Sequence, residues 1–267
     1  MYYQEDYISS ESSHRLPKNI HIFQNDPLMQ MLLAKLGHAD TFQPKLNRYF
    51  QYAYEYLLNK SLNLVVDVQE KSSETRMKQN HDQGVVRFNS LNAQSEFIVL
   101  DLARAGTWPS HICFDYLNHH FSHRNIRQDH IYINRKVDEA GKVIGVNFTG
   151  SKIGGDFNNK YIVIPDPMGA TGSTISHVVN MIRESKDSYK KIIVLHLILT
   201  PEYVKRMKKD FPEVEVFCLR YDRGLSPEEI LSTPYGQHLD QERGLSDIDY
   251  ILPGAGGIGE VLNNSYV

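Results

Sequence analysis

Tyr161-Ile-Val-Ile-Pro-Asp166-Pro-Met-Gly169-Ala-Thr171-Gly172-Ser173-Thr174 is the stretch that decides the fold. An apolar strand delivers an acid at its carboxyl end, a small-residue loop follows, and a helix then runs to about Glu184. Open α/β sheets bind ligands at this kind of place, just beyond the carboxyl ends of their strands. Ala170 to Thr174 bring consecutive backbone N–H groups, three hydroxyls and a glycine that lets a ligand approach closely. Donors converging at a helix N-terminus suit a dianionic phosphate. The loop lacks the Gly-Lys-Ser/Thr ending of a nucleoside-triphosphate P-loop, and it lacks G-x-G-x-x-G. The acid ahead of it fits another ligand: Asp166 stands one sugar away from the phosphate, placed to accept hydrogen bonds from ribose hydroxyls. Taken alone, an acid and small residues after a strand could also form a plain helix-capping turn.

The same order of strand, turn and helix repeats on both sides. Upstream, Phe97-Ile-Val-Leu100 leads through Arg104-Ala-Gly106 to a helix near 109–121. His130-Ile-Tyr-Ile133 is a further strand. The polar 136–158 stretch after it reads as a loop that closes over the site with Tyr132, its glycines permitting the motion. Downstream, Ile192 to Leu199 is an unbroken apolar run, as a strand covered on both faces should be. Thr200-Pro201-Glu202 supplies an N-cap, a proline at the first helical position and an acid in the first turn. That helix reaches about Asp210, and Val214 to Leu219 returns as a strand. This alternation predicts an α/β fold with a mostly parallel sheet flanked by helices.

Ahead of the sheet, Leu28, Met29, Leu32, Leu33 and Leu36 make one helical stripe. Leu46, Tyr49, Phe50, Ala53, Tyr54 and Leu57 make a second. Leu64 to Val68 and Gly84 to Phe88 read as strands, with a hairpin or a loose loop over 70–83. Residues 1–19 are a polar, serine-rich arm, and 20–267 read as a single domain in which 220–249 form an extended loop or flap. A net charge of −3 gives no global basic field for nucleic acid. No apolar run reaches transmembrane length and the start lacks signal-peptide character, so a cytoplasmic chain without membrane contact is expected. Cys113 and Cys218 lie in apolar segments and read as free core thiols, a lone disulfide or a catalytic thiol being the alternatives. The twelve histidines show no metal-ligand spacing.

Asp-Pro-Met-x-Ala-Thr-Gly-x-Ser/Thr, matched by 166–174, resembles the signature of the uracil phosphoribosyltransferases, in which proline follows the acid as Pro167 does here. The resemblance runs in order over roughly 26–262. It implies the phosphoribosyltransferase-type sheet, with N-terminal helices and a small C-terminal base-binding hood over 250–262. It also implies phosphoribosyl pyrophosphate and uracil as substrates, Mg²⁺ held mainly by the pyrophosphate compound rather than by the chain, and a homodimer or higher oligomer. The aromatic-rich helix 44–58 points to an oligomer as well, and GTP is a possible effector by the same resemblance. Asp166 is then the ribose-binding acid, and Met168, Gly169, Ala170, Thr171, Gly172, Ser173 and Thr174 hold the 5-phosphate. Leu100-Asp-Leu-Ala-Arg104-Ala-Gly106 resembles the turn whose arginine meets the pyrophosphate, and Arg135 corresponds to a second arginine. A guanidinium suits that task because it stays charged and bonds phosphate oxygens in pairs. Tyr250-Ile251-Leu-Pro-Gly-Ala-Gly256-Gly257-Ile258-Gly-Glu260 resembles the segment that reads uracil through main-chain groups, which carries over to Ile251, Gly256, Gly257 and Ile258, beside Tyr250.

The departures cluster on the base and metal side. Gly257 stands where the family has an aspartate that helps organise the magnesium-bound pyrophosphate, Glu260 replaces a second aspartate, and Val261 replaces an arginine. Residues 221–243 are an insertion, as is the arm. Two other readings therefore stay open: the same chemistry on another base, or a phosphoribosyl pyrophosphate or nucleotide sensor that has lost turnover.

Overall fold

The computed structural model describes residues 15–137 and 143–265. The 1–14 part of the arm lies outside them, as do residues 138–142 and the side chains over 134–147, that of Arg135 included. Among the described residues the strands are β1 (Ile20–Ile22), β2 (Val68–Glu74), β3 (Val85–Leu91), β4 (Phe97–Ala103), β5 (Ile126–Val137), β6 (Val143–Lys152), β7 (Tyr161–Pro165), β8 (Met168–Gly169), β9 (Lys191–Leu199) and β10 (Glu215–Tyr221). The helices are α1 (Pro27–Leu36), α2 (Lys45–Val65), α3 (Thr107–His120), α4 (Ser173–Glu184), α5 (Pro201–Asp210), α6 (Glu228–Leu231) and α7 (Ile258–Leu262).

The main sheet runs β1-β10-β9-β7-β4-β5-β6 and is parallel except for β6, which returns antiparallel along one edge. The chain leaves β4 toward β5 and leaves β7 toward β9, in opposite directions from the centre. Two connections parting in this way open a crevice at the strands' carboxyl ends, and there the candidate site lies.

Alternation along the strands builds two cores. Phe97, Val99, Tyr161, Val163, Ile193 and Leu195 face α1, α2, α3 and α7. Ile98, Leu100, Ile162, Ile164, Ile192 and Val194 face α4 and α5. Because both faces are covered, the central strands are apolar at nearly every position. Cys113 belongs to the first core and Cys218 to the second; both are buried and unbridged. Burial pushes both thiols far above their ordinary range, which leaves them poor nucleophiles.

Two expectations need correction. Leu64–Val68 is not a strand: α2 carries its apolar side on through Leu62, ends at Val65, and Val66 turns to extended backbone. Of the two readings of 70–83 the hairpin is the one found: β2 and β3 pair antiparallel, joined through a 3₁₀ turn over Arg76–Gln79. The 136–158 region is no loose loop, since β6 pairs with β5 from His130↔Lys152 to Val137↔Val143. Nor do Gly154 and Gly155 give free motion. Arg127 donates to the Gly155 and Asp156 carbonyls, Asp129 accepts from the Gly154 N–H, and a Cβ at 154 would meet Arg127 Cδ at 2.8 Å.

Candidate active site

The 166–174 loop is held down along β9. The Asp166 N–H donates to Leu195 O (3.0 Å), Leu197 and Ile198 N–H donate to Pro167 O, and Met168–Gly169 pair in parallel with Ile198–Leu199. Thr200, the N-cap of α5, bonds the loop twice, its N–H to Gly169 O and its Oγ1 to Ala170 O (2.7 Å). Gly172 then takes φ +75° as the N-cap of α4, a left-handed turn that glycine makes without a Cβ penalty. Ser173 N–H donates to Thr171 Oγ1, and the two hydroxyls of Thr171 and Ser173 share a 2.7 Å hydrogen bond. Arg206 of α5 donates to Ser173 Oγ at 2.8 Å. That cation was not visible in sequence, because Arg206 sits in an ordinary amphipathic helix 33 residues downstream.

Beside the loop, β4 ends in the Arg104 turn. Gly106 is required there by close approach: a Cβ would meet Leu102 O at 2.8 Å and Pro165 O at 2.9 Å. The Ala103–Arg104 peptide is cis, and Arg104 Nη1 donates to Ser265 Oγ. Facing this turn, the 250–260 segment is tethered by a pair that sequence reading passed over. Arg220 grips Asp222 through two bonds (2.6 and 2.7 Å) and donates to Gly254 O, while Asp222 accepts from the Gly254 N–H at 2.8 Å. Glu202 accepts from the N–H groups of Gly244 and Leu245, so the acid read as a helix-start residue also ties down the chain just ahead of the 250–260 segment.

These parts enclose a cleft of about 490 Å³. Arg104, Asp166, Met168, Ala170 and Thr174 line one side, and Tyr250, Ile251, Gly256, Gly257 and Ile258 the other. A smaller recess next to it is lined by Gly169, Thr171, Gly172 and Ser173 together with Asp166. Every site residue named from sequence except Arg135 lines one of these two spaces, and the structure adds others, among them Leu102, Ile133, Asp249, Glu260, His196 and Tyr203. Arg135 is placed only by its backbone, opposite Val146 in the β5–β6 ladder. Glu260 bends back over Gly257, its Oε2 2.9 Å from where a Cβ on residue 257 would stand. A carboxylate therefore occupies the space beside the glycine, supplied from three residues further on. His196 is fully buried under the loop, and burial pulls its imidazole down to about 4. Among the described residues, no group of three or more His, Cys, Asp or Glu side chains could hold a metal ion, and no helix is long and apolar enough to cross a membrane.

The sequence model of the family described as uracil phosphoribosyltransferase matches residues 23–264. The uracil phosphoribosyltransferase of Methanococcus vannielii is 34% identical over 102 residues, covering 38% of this chain and 35% of that one. Its counterpart in Thermococcus sibiricus is 34% identical over 99 residues, 37% of this chain and 34% of that one. The matches to these curated relatives thus span about a third of the relatives' length. The structure of the AQ2163 protein from Aquifex aeolicus superposes with a TM-score of 0.66 at 26% identity, covering 90% of this chain and 97% of that one.

Proposed function

The chain belongs to the uracil phosphoribosyltransferase family, and on that premise we propose that it joins uracil N1 to ribose C1 of phosphoribosyl pyrophosphate. The C1–O bond to pyrophosphate breaks, the N1 proton is released, and uridine 5′-monophosphate and pyrophosphate leave. One observation carries the reading: the phosphate loop, the Arg104 turn and the 250–260 hood converge on a single cleft. In it, Asp166 accepts from the ribose hydroxyls and the N–H groups of Ala170–Thr174 hold the 5-phosphate, so that binding energy far from C1 orients it. Arg104 and Arg135 take up charge developing on the leaving pyrophosphate. Main-chain groups of Ile251, Gly256, Gly257 and Ile258 read the edge of uracil, with Tyr250 at the mouth of the cleft.

Magnesium, when bound, neutralises the pyrophosphate oxygens. The cleft fits such an ion as a passenger on the substrate, with Asp166, Asp249 and Glu260 the carboxylates on its walls; Mg²⁺ commonly enters on substrate phosphates with one or two carboxylates. The second reading, a sensor or an enzyme for another base, draws on Gly257, which brings no carboxylate of its own. Pyrophosphate release measured with uracil and a panel of other bases separates these readings. Release with uracil alone is expected; binding of phosphoribosyl pyrophosphate without release with any base would leave the sensor.

A further inference from the structure

β9 is apolar from Ile192 to Leu199 except at His196, which is completely buried. A buried imidazole is costly unless its ring nitrogens are partnered. Nδ1 lies 2.5 Å from the main-chain oxygen of Asp166. A carbonyl only accepts, so Nδ1 carries the proton and Nε2 of the neutral ring is a lone pair. Burial favours this neutral form. The bond replaces a missing rung. After the Asp166 N–H donates to Leu195 O, a regular parallel ladder would return the Leu197 N–H to Asp166 O. Here it goes to Pro167 O at 3.0 Å, and the imidazole takes the Asp166 carbonyl instead.

The other side of the ring points to a ligand. Nε2 has no hydrogen-bond partner among the described residues, and neither has Oη of Tyr203, also fully buried, whose ring meets the imidazole edge-on at 4.7 Å. Both side chains line the recess beneath the phosphate loop, about 30 Å³ in volume and large enough for one water-sized group. Above it, a Cβ on Gly169 would stand 3.0 Å from His196 Cδ2, so the loop sits this close to the imidazole only with glycine at that position.

We propose that His196 is the positioning residue of the phosphate loop: its Nδ1–H fixes Asp166, and its Nε2 and Tyr203 Oη form a polar floor that holds one water beneath the phosphate. An apolar residue, as elsewhere in β9, would fill the core without an orphaned atom. The histidine therefore runs against stability, and such local conflicts gather at functional sites. The proposal rests on reading the loop as a ribose 5-phosphate site.

Calorimetric titration with ribose 5-phosphate tests it on the wild-type protein, His196→Val and His196→Asn. Valine suits a buried strand but has no donor, whereas the asparagine amide offers an N–H near the Nδ1 position. The expected result is a loss of about tenfold or more in His196→Val and recovery to within about threefold in His196→Asn, with melting temperatures that do not follow the affinities. Equal affinity in wild type and His196→Val, or an asparagine variant as weak as the valine one, overturns the positioning role alone. If the wild-type protein does not bind, the reading of the site falls, and this proposal with it. Tyr203→Phe keeps the test open should the valine variant not fold: weaker binding at an unchanged melting temperature supports the polar floor, and unchanged binding overturns it.

Discussion

Gly257 and Glu260 form one unit. With Glu260 Oε2 2.9 Å from the place of a Cβ at 257, Gly257→Asp would set two carboxylates against each other and force the glutamate away. The single variant is therefore expected to lose turnover rather than gain it, by about 100- to 1,000-fold, the scale of one lost transition-state charge contact. Adding Glu260→Ala should recover part of the loss, and steady-state pyrophosphate release measured on both variants checks this; a faster Gly257→Asp enzyme would show that Glu260 does not fill the gap. His196 gives a prediction of another kind. Its imidazole titrates near 4 when folded and near 6.5 when unfolded. Between those values the unfolded chain binds a proton that the folded chain does not. Stability thus rises with pH across the window and is lost as pH falls from 6.5 to 4, by about 3 kcal/mol in all. Urea midpoints taken over that range should slope less steeply for His196→Asn than for the wild-type protein, and parallel slopes would contradict the assignment.

Among elements, the strand–turn–helix units could be read directly, because the switch from an apolar run to a small-residue turn to a 3.6-residue stripe is local in sequence. The 222–249 segment could not. It contains only the single turn of α6, and its position depends on distant side chains. Buried Glu242 accepts from Tyr221 Oη (2.6 Å), Arg223 (2.7 Å) and the Gly236 N–H (2.8 Å), none of which leaves a periodic mark. Glu202 ties the end of this segment, just ahead of the hood, to α5 and makes the element-scale prediction. Glu202→Ala strips the Gly244 and Leu245 N–H groups of their acceptor, which should cost about 1–3 kcal/mol in urea unfolding. Gly244 in turn accepts from the Leu252 N–H next to Ile251. Loosening this link is expected to raise KM for uracil several-fold while KM for phosphoribosyl pyrophosphate stays nearly constant. A parallel rise in both constants would mean that the tether serves the whole cleft.

For the molecule as a whole, the parallel order of the sheet followed from the sequence because each unit announced its own crossover. The β5–β6 ladder did not, since its polar residues and glycines look like a loop until the partner strand is known. Which surface serves an assembly is not legible in the sequence either. Helix α2 spends its apolar stripe on the core through Leu46, Phe50, Ala53, Tyr54 and Leu57, which leaves little of it for a partner. Apolar side chains are uncovered at Leu28, Met31, Phe42 and Tyr52 and on the β2–β3 hairpin, where Val86 (45% exposed) and Phe88 (42%) share one face of the ribbon. A two-stranded ribbon is marginal in water by itself, and an exposed apolar face usually marks an interface. Self-association through this hairpin is therefore the expected assembly. Val86 and Phe88 are two apart on β3 and so share one face. Aspartate at both positions would place two charges there without touching the cleft. Light scattering after size exclusion should report a dimer or larger assembly for the wild-type chain and a monomer for the double variant, with pyrophosphate release per chain preserved if each site is complete within one copy. An unchanged mass in the double variant would move the interface elsewhere on the molecule.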